Sequence, residues 1–388
     1  MNDMHTTRGA DDRILHRQFR WLFLLSLTTA LFGCGAHDAS GDTADRQPHR
    51  TGAGTEEPLL PAIVTERVPG DGDDPAIWIH PEDPAQSLVL GTDKGRRNGG
   101  VYVFGLDGRI DRTRTVTGLR RPNNVDVGYG FRVGGRGVDI AVATERNSTS
   151  LRVFALPDMR PVDGGGIPVF DGDTEREPMG IALYRRPRDG AMFAIVAGKQ
   201  GPTEGYLWQY RLEDDGAGRV RGVKVREFGT FSGRQEIEAI AVDQALGYVY
   251  YSDEQFGIRK YHADPKAGDR QLAQFGTDHF ARDHEGIALY TSEDGTGYIL
   301  VSDQQAGRLQ VFPREGVSGR PHHHPLLASI PVSALETDGV AVVSAGLGTG
   351  FPRGMVVMMS ADRTFHFYRW EDVEARIPPG ARESPSHP

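Results

Sequence analysis

The sequence lacks the features on which several protein classes depend. Its 388 residues include one cysteine, so neither an internal disulfide nor a cysteine-based zinc site can form. Acidic residues outnumber basic residues by 53 to 44, and this net charge of −9 disfavours general nucleic-acid binding. The sequence has a single strongly apolar run, whereas a polytopic membrane protein needs several. No G-x-S-x-G, P-loop or H-E-x-x-H motif is present, so the enzyme classes built on those motifs are not indicated.

The one strongly apolar run lies near the amino terminus, at residues 21–32, and follows Arg13, Arg17 and Arg20. About a dozen residues at 1.5 Å each cannot cross roughly 30 Å of hydrocarbon, but they have the length of a signal-peptide core. Cys34 follows Leu-Phe-Gly, which resembles a bacterial lipoprotein box. Residues 1–33 are therefore predicted to be a lipoprotein signal peptide and Cys34 the lipid-modified first residue of the mature chain. The alternative is a plain secretory signal with an incidental cysteine.

Polar, aperiodic segments flank the rest of the chain. Residues 34–58 are rich in glycine and polar residues and are predicted to form a flexible tether, and residues 375–388 a disordered tail. The folded domain is then expected at residues 59–374. No acidic residue follows Cys34 directly, so retention at the inner membrane is not indicated. We expect an exported bacterial lipoprotein of the outer membrane, facing the periplasm or the cell surface, that contacts the membrane only through its lipid.

Between these segments the sequence repeats with a period of roughly 50 residues. The 50 glycines and 24 prolines favour short strands and tight turns over long helices. Each repeat has a first apolar strand, a second apolar strand and a third strand that usually contains aromatic residues. The first strands start at Pro75, Asn124, Gly180, Ala239, Gly286 and Gly339. Four strands in a period of this length are typical of a propeller blade.

Six repeats predict an all-β fold, a six-bladed β-propeller with four-stranded antiparallel blades. The last repeat is too short for its fourth strand, whereas residues 62–68 form an apolar segment that precedes the first repeat without a partner. We therefore expect this N-terminal strand to complete the sixth blade and close the ring, which removes exposed sheet edges. Two stacked β-sandwiches, the alternative, would not explain one period along the whole domain.

The residues directly before the first strands are rich in carboxylates. They are Asp74, Asn123, Met179, Glu238, Glu285 and Asp338, and Asp73 and Asp283 lie next to this set. The innermost strands of a propeller line its channel, so these positions should converge at one end. Carboxylates gathered there repel one another, and a hard cation such as Ca²⁺ neutralises them. Turn capping by the individual acids is the alternative, but the combination favours several calcium ions.

A second set of charged residues follows the second strands. Lys94, Arg146 and Lys199 occupy equivalent positions in the first three blades, and the fourth blade contributes Asp253 and Glu254. Taken singly, each cation could be an ordinary solvated loop charge. Together they predict a basic wall that faces an acidic, metal-binding wall, an arrangement suited to a phosphorylated substrate.

Four motifs resemble those of the β-propeller phytases, the calcium-dependent alkaline phytases of bacteria. They are residues 73–81 (DDPAIWIHP), 123–126 (NNVD), 282–286 (RDHEG) and 336–339 (ETDG), and the similarity covers about residues 60–372. The resemblance implies that the protein is a monomeric 3-phytase-type phosphomonoesterase, which releases phosphate from myo-inositol hexakisphosphate by calcium-activated attack of water. It also implies a second, adjacent site for a neighbouring phosphate.

The resemblance assigns roles to residues at matching positions. Contacts to substrate phosphates fall to Lys94, Arg146 and Lys199, and these three count as catalytic together with Glu238 and Glu254. Ligands for Ca²⁺ are expected at Asp73, Asp74, Glu238, Glu254, Asp283, Glu285 and Asp338. Two positions depart from the family pattern, since Met179 replaces the usual Tyr and Gln200 the usual Glu. A thioether is a poor calcium ligand, so one ion is expected to bind more weakly.

Two other functions fit parts of the pattern. A calcium-dependent propeller lactonase or phosphotriesterase-like hydrolase would share the channel metal but would not need three cations on one wall. A non-enzymatic, lipid-tethered binding propeller would not require six ordered acids. The run of His322, His323 and His324 stands between prolines and is interpreted as an exposed loop rather than a metal site.

Overall fold

The computed structural model describes residues 56–96 and 98–379. The predicted signal peptide, Cys34, most of the predicted tether and residues 380–388 lie outside the described residues, and those interpretations stay predictions. Within the described part of the chain, no helix has the length and apolar character needed to cross a membrane.

The described chain forms 25 strands, which make six antiparallel sheets. Blade 1 contains β2 (Gly72–Trp78), β3 (Leu88–Asp93), β4 (Gly99–Phe104) and β5 (Val116–Leu119). Blade 2 contains β6 (Pro122–Val133), β7 (Arg136–Glu145), β8 (Ser150–Leu156), β9 (Arg160–Pro161) and β10 (Ile167–Pro168). Blade 3 contains β11 (Pro178–Arg185), β12 (Met192–Gly198), β13 (Glu204–Asp214) and β14 (Val220–Thr230).

Blades 4 to 6 follow the same order. Blade 4 contains β15 (Ile240–Asp243), β16 (Tyr248–Asp253), β17 (Gly257–His262) and β18 (Ala273–Phe275). Blade 5 contains β19 (His284–Thr291), β20 (Gly297–Asp303), β21 (Arg308–Pro313) and β22 (Ala328–Pro331). Blade 6 contains β23 (Val340–Val343), β24 (Met355–Ser360), β25 (Thr364–Arg369) and the N-terminal β1 (Ile63–Val64). The helical elements are short: 3₁₀ turns at Pro84–Gln86, Arg146–Ser148, Phe170–Gly172 and Thr174–Arg176, and α1 at Trp370–Glu374.

The predicted six-bladed propeller and its closure are confirmed. β1 pairs antiparallel with β25, with Ile63 opposite Phe367, so the first described strand is the outermost strand of the last blade. Blade 2 departs from the four-strand pattern because β9 adds a fifth strand beside β8. Closure thus pairs the two ends of the folded chain within one blade.

The hydrophobic core is divided among the six interfaces between neighbouring blades. Each of six buried clusters draws its members from two adjacent blades. On β7, Ile140 and Val142 face blade 3, whereas the alternate residues Ala141 and Ala143 face blade 1. Successive strand residues point to opposite faces, and here both faces are covered. This is why the second strands appear in the sequence as continuous apolar runs.

Two sequence interpretations need correction at the rim. Ile377 is 5% exposed and belongs to the core between blades 5 and 6, beside Trp370, so the folded part extends beyond the predicted boundary at residue 374. His324 is buried rather than exposed, because its Nδ1 lies 2.7 Å from the Pro313 carbonyl and its Nε2 lies 3.2 Å from Lys260 Nζ. Burial lowers the pKa of His324 to about 4, which keeps the imidazole neutral beside the ammonium group.

Candidate active site

Irregularities in the first strands position the residues at the channel mouth. The register shifts between Gly72 and Pro75 in blade 1, and between Pro122 and Val125 in blade 2. Equivalent shifts occur on β11 and β19. A bulge adds a residue to one strand and redirects its side chains. Two consecutive residues of a first strand can therefore both reach polar partners at the channel mouth, which a regular strand would not allow.

Hydroxyl groups on the second strands stabilise these bulges. Thr92 Oγ1 accepts a hydrogen bond from Asp74 N at 2.9 Å, and Thr144 Oγ1 accepts one from Asn124 N at 3.1 Å. Thr144 Oγ1 also donates to the Met179 carbonyl of the next blade at 2.7 Å. The hydroxyls thus satisfy backbone groups that the bulges leave out of the sheet and join one blade to the next.

The acid that follows such a hydroxyl has a structural role. Asp93 accepts hydrogen bonds from the backbone N–H groups of Gly70 and Asp71, both at 2.8 Å, and Asp303 accepts from Ala281 N at 3.1 Å. These carboxylates fix the loops that enter the first strands. Sequence analysis missed this role, although the Ser/Thr–Asp/Glu pair at the end of several second strands could have shown it.

Five buried carboxylates form what we call the acidic cluster, Asp73, Asp74, Glu238, Glu254 and Glu285. One oxygen from each of Asp73, Asp74 and Glu238 lies within 4.8 Å of the others, and the same holds for Glu238, Glu254 and Glu285. Glu238 belongs to both groups. The structure therefore brings five of the seven predicted metal ligands together, from blades 1, 4 and 5.

The cluster is electrostatically unfavourable as it stands. Burial raises the pKa of all five carboxyl groups, and neighbouring carboxylates raise it further. The pKa of Glu254 rises to about 10. Asp73 Oδ2 and Glu254 Oε1 are buried and have no hydrogen-bond partner among the described residues. Oxygen ligands in such groups fit a divalent cation of the calcium type, which would neutralise the charges and satisfy the two oxygens.

The other two predicted ligands have hydrogen-bond partners on both carboxylate oxygens. Asp283 accepts from Gln255 Nε2 at 2.8 Å and from Gln305 Nε2 at 2.7 Å. Asp338 accepts from Gln304 Nε2 at 2.6 Å and from Lys94 Nζ at 2.7 Å. Neither belongs to the two three-carboxylate groups. They lie at the border of the acidic cluster rather than within it.

The three predicted cations occupy two different surroundings. Lys94 Nζ lies 2.7 Å from both Asp73 and Asp338, so Lys94 reaches into the acidic side rather than forming part of a separate basic wall. Arg146 and Lys199 instead line an open cavity of about 730 Å³. The structure thus brings two of the three predicted cations to one cavity and places the third elsewhere.

Sequence analysis missed two further cations of this cavity. Arg96 and Arg121 also line it, together with Gln200 and with Thr174, Glu175 and Glu177. We call it the basic cavity. Arg121 has φ of +63°, a strained conformation for a residue with a side chain, and its Nε is buried without a partner among the described residues. Arg121 lies two residues before Asn123, and this nearness to a predicted channel residue could have indicated its role. Loop residues do not follow the sequence repeat, however, so the repeat alone does not identify it.

Arg146 is held firmly at the edge of the basic cavity. Its Nη1 donates to Asn123 Oδ1 at 3.1 Å, its Nε donates to Glu177 Oε2 at 3.1 Å, and its Nη2 also bonds Glu177. Lys199 Nζ lies 3.0 Å from Glu236 Oε2, and its side chain is 39% exposed. Both cations can present N–H groups to an anion in the cavity.

Comparison with known proteins assigns the chain to a family. A family model described as Phytase matches residues 48–365. The 3-phytase of Bacillus subtilis (strain 168) is 30% identical over 323 residues, which cover 79% of this chain and 81% of that protein. The chain therefore belongs to the phytase family. The resemblance found in the sequence motifs is confirmed.

Two solved structures match this chain more distantly. The Dos1 propeller is 11% identical with a TM-score of 0.39, over 73% of this chain and 65% of that one. A chain of the nidogen/laminin complex is 14% identical with a TM-score of 0.41, over 73% of this chain and 94% of that one.

Proposed function

We propose that this phytase releases phosphate from myo-inositol hexakisphosphate with the help of calcium ions held by the acidic cluster. Family membership supports the enzyme class and the substrate, and it favours phosphomonoesters over the lactones and phosphotriesters of the alternative hydrolase. One observation carries the calcium requirement: five carboxylates are buried together, and two of their oxygens have no partner among the described residues.

The residues suggest where the ions would bind. Asp73, Asp74 and Glu238 would hold one ion, and Glu238, Glu254 and Glu285 a second. When bound, calcium supplies positive charge that polarises a phosphoryl oxygen and lowers the pKa of water. Met179 is buried and offers a thioether where an oxygen would serve better, so we expect fewer or weaker ions than in relatives with a tyrosine there.

The cations of this chain bind and orient the substrate. Arg146 is fixed by Asn123 and Glu177 and can offer its remaining N–H groups to two oxygens of one phosphate. Lys199 contributes an ammonium group from the equivalent position of the next blade, and its side chain is 39% exposed. Lys94, between two carboxylates, stays protonated because those carboxylates raise its pKa. It can therefore bridge the phosphate and the acidic side of the site.

The basic cavity supports a second phosphate position. Arg96 and Arg121 extend it beyond Arg146, and its volume of about 730 Å³ exceeds the needs of one phosphate. Like charges from Arg146 and Arg96 add to burial in lowering the pKa of Arg121, which a bound anion would relieve. Substrates with neighbouring phosphates should therefore bind best.

The proposal is tested by phosphate release from inositol hexakisphosphate with added Ca²⁺, with EDTA, and after Ca²⁺ is restored. We expect loss of activity in EDTA and recovery on adding calcium, because the acidic cluster cannot bind a phosphorylated substrate while its charge is uncompensated. Calcium should also raise the melting temperature, since a ligand that binds only the folded state stabilises it. Phosphate release that is unchanged by EDTA would contradict the calcium requirement.

We also propose that the protein is a monomeric exported lipoprotein anchored through Cys34. The sequence pattern of residues 13–34 supports the export and the anchor. Cys34→Ser should move the protein from the membrane to the soluble fraction without changing its melting temperature. If the variant remains with membranes after a high-salt wash, the anchor lies elsewhere.

A further inference from the structure

We propose that Asn123 is a positioning residue that couples anion binding at Arg146 to calcium binding at Glu238. Asn123 lies in the bulge of β6 and is 0% exposed. Its Oδ1 accepts a hydrogen bond from Arg146 Nη1 at 3.1 Å, and its Nδ2 donates to Glu238 Oε1. One amide thus joins a cation of the basic cavity to the carboxylate shared by both three-carboxylate groups.

The chemistry of the contacts fixes the orientation of this amide. Its Nδ2 also donates to Asn124 Oδ1 at 3.0 Å, so both amide hydrogens and the oxygen are in use. A rotation that exchanged oxygen and nitrogen would place N–H against a guanidinium and oxygen against a carboxylate. An aspartate here would repel Glu238, and a lysine would repel Arg146. A neutral side chain with a donor and an acceptor on opposite sides is what this position requires.

Burial makes the three groups interdependent. Arg146, Asn123 and Glu238 are 4%, 0% and 6% exposed, so water cannot readily replace a bond lost between them. A phosphate that draws Arg146 towards the cavity must either break the bond between Arg146 and Asn123 or pull Asn123 away from Glu238. Hydrogen bonds in such a chain also polarise one another. Binding at one end should therefore change affinity at the other, and by linkage the effect is reciprocal.

Asn124 provides a matched control. It is the next residue, has the same side chain and is 5% exposed. Its Nδ2 donates to Asp74 Oδ2 in the acidic cluster, but among the described residues it has no hydrogen bond to a cation of the basic cavity. Replacing Asn124 perturbs the carboxylates without removing the connection to Arg146.

The experiment measures the calcium Kd of the full chain by titration calorimetry, with and without inorganic phosphate held below the solubility limit of calcium phosphate. In the wild type, phosphate should lower the calcium Kd several-fold. In Asn123→Ala this phosphate effect should fall at least threefold. In Asn124→Ala calcium binding should weaken in both conditions, while the phosphate effect stays within twofold of the wild type.

The inference is overturned if Asn123→Ala keeps the full phosphate effect, or if both variants lose it equally. Should Asn123→Ala fail to fold, Asn123→Asp serves instead, because it keeps an acceptor for Arg146 but cannot donate to Glu238. It should also lose the phosphate effect, and retention would overturn the proposal. The inference rests on the proposed calcium sites. If the wild type binds no calcium, the proposed calcium sites are wrong. If the wild type binds calcium, the comparison of the variants tests the role of Asn123 alone.

Discussion

Asp253 and Glu254 are neighbours in the sequence, both acidic and both buried, yet their surroundings differ completely. Asp253 Oδ1 accepts from Ser232 Oγ at 2.6 Å, and its Oδ2 accepts from Ser232 N at 2.9 Å and from Arg259 at 2.8 Å. Glu254 faces Glu238 and Glu285, and its Oε1 has no partner among the described residues. Both residues are buried acids, and only their partners separate them.

The difference shows how this propeller distinguishes structural acids from functional acids. The last residue of a second strand, as in Asp93, Asp253 and Asp303, points to the loop of its own blade and is satisfied there. The next residue, as in Lys94 and Glu254, points to the channel mouth. Alternation along the strand thus assigns one position to the fold and the next to the site. Incomplete hydrogen bonding, rather than burial, marks the site.

The largest expected effect comes from replacing Asp253 or Glu254, one at a time, by an uncharged residue. Asp253→Ala leaves the Arg259 guanidinium and Ser232 N–H buried without their acceptor, which should cost about 3–5 kcal/mol of unfolding free energy with or without calcium. Glu254→Gln replaces an acid whose ionisation is unfavourable in these surroundings with a neutral group, so in EDTA the variant should be as stable as the wild type or more stable. Its calcium-induced rise in melting temperature and its activity should drop sharply. Thermal melting in EDTA and in millimolar Ca²⁺ checks both variants.

The opposite result would remove the distinction. If Asp253→Ala lost only the calcium effect while Glu254→Gln lost stability in EDTA, the roles would be reversed. Asp253 would then be the metal ligand and Glu254 the structural acid.

The next effect concerns pH and follows from the acidic cluster as a whole. A carboxyl group whose folded pKa is raised binds more protons in the folded state than in the unfolded state, so stability falls as pH rises. For Glu254 the window runs from its ordinary value of 4.5 to about 10. In EDTA the melting temperature should therefore fall from acidic towards alkaline pH, and millimolar Ca²⁺ should flatten this dependence. A calcium-free protein with equal melting temperatures at pH 6 and pH 9 would contradict the assigned electrostatics.

Much of the fold could be predicted from the sequence because blades repeat. The period predicted six first strands, and the unpaired segment at residues 62–68 predicted the closure that β1 makes with β25. The convergence of Glu238 and Glu285 also followed, since equivalent positions in a ring meet by symmetry.

The finer structure of the site could not be predicted, because it depends on features that do not repeat. The sequence grouped Asp253 with Glu254 and Lys94 with the other cations, although bulges and loops place each pair in different surroundings. Arg96 and Arg121 lie on irregular loops that carry no period. Side-chain partners are set by such local geometry, which spacing alone does not show.

A smaller effect separates the cations from the acids. Lys199→Ala removes a charge-assisted contact worth about 1.5–3 kcal/mol, so kcat/KM for inositol hexakisphosphate should fall about 10- to 150-fold. The calcium-induced melting shift should stay near the wild-type value, because Lys199 pairs with Glu236 outside the acidic cluster. Lys224→Ala, on the outer strand β14, is the matched control and should change neither quantity. Loss of the calcium shift in Lys199→Ala would mean that the cations and the acids form one inseparable site.

The smallest expected effect concerns Asp283, which stands between the two kinds of acid. It is 6% exposed like a cluster carboxylate, but amide groups of Gln255 and Gln305 donate to both of its oxygens. Asp283→Asn keeps one oxygen, and the glutamine facing the new nitrogen can rotate to offer its own oxygen. The change should therefore cost about 0.5–1.5 kcal/mol of unfolding free energy in EDTA.

The negative charge of Asp283 contributes to the raised pKa of Glu254, so the variant should reduce the calcium-induced melting shift by a fraction of the Glu254→Gln effect. Calcium titration of the melting temperature compares the two variants directly. An equal loss in both would make Asp283 a full ligand that exchanges its glutamine partners for the ion, and complete hydrogen bonding would no longer identify a structural acid.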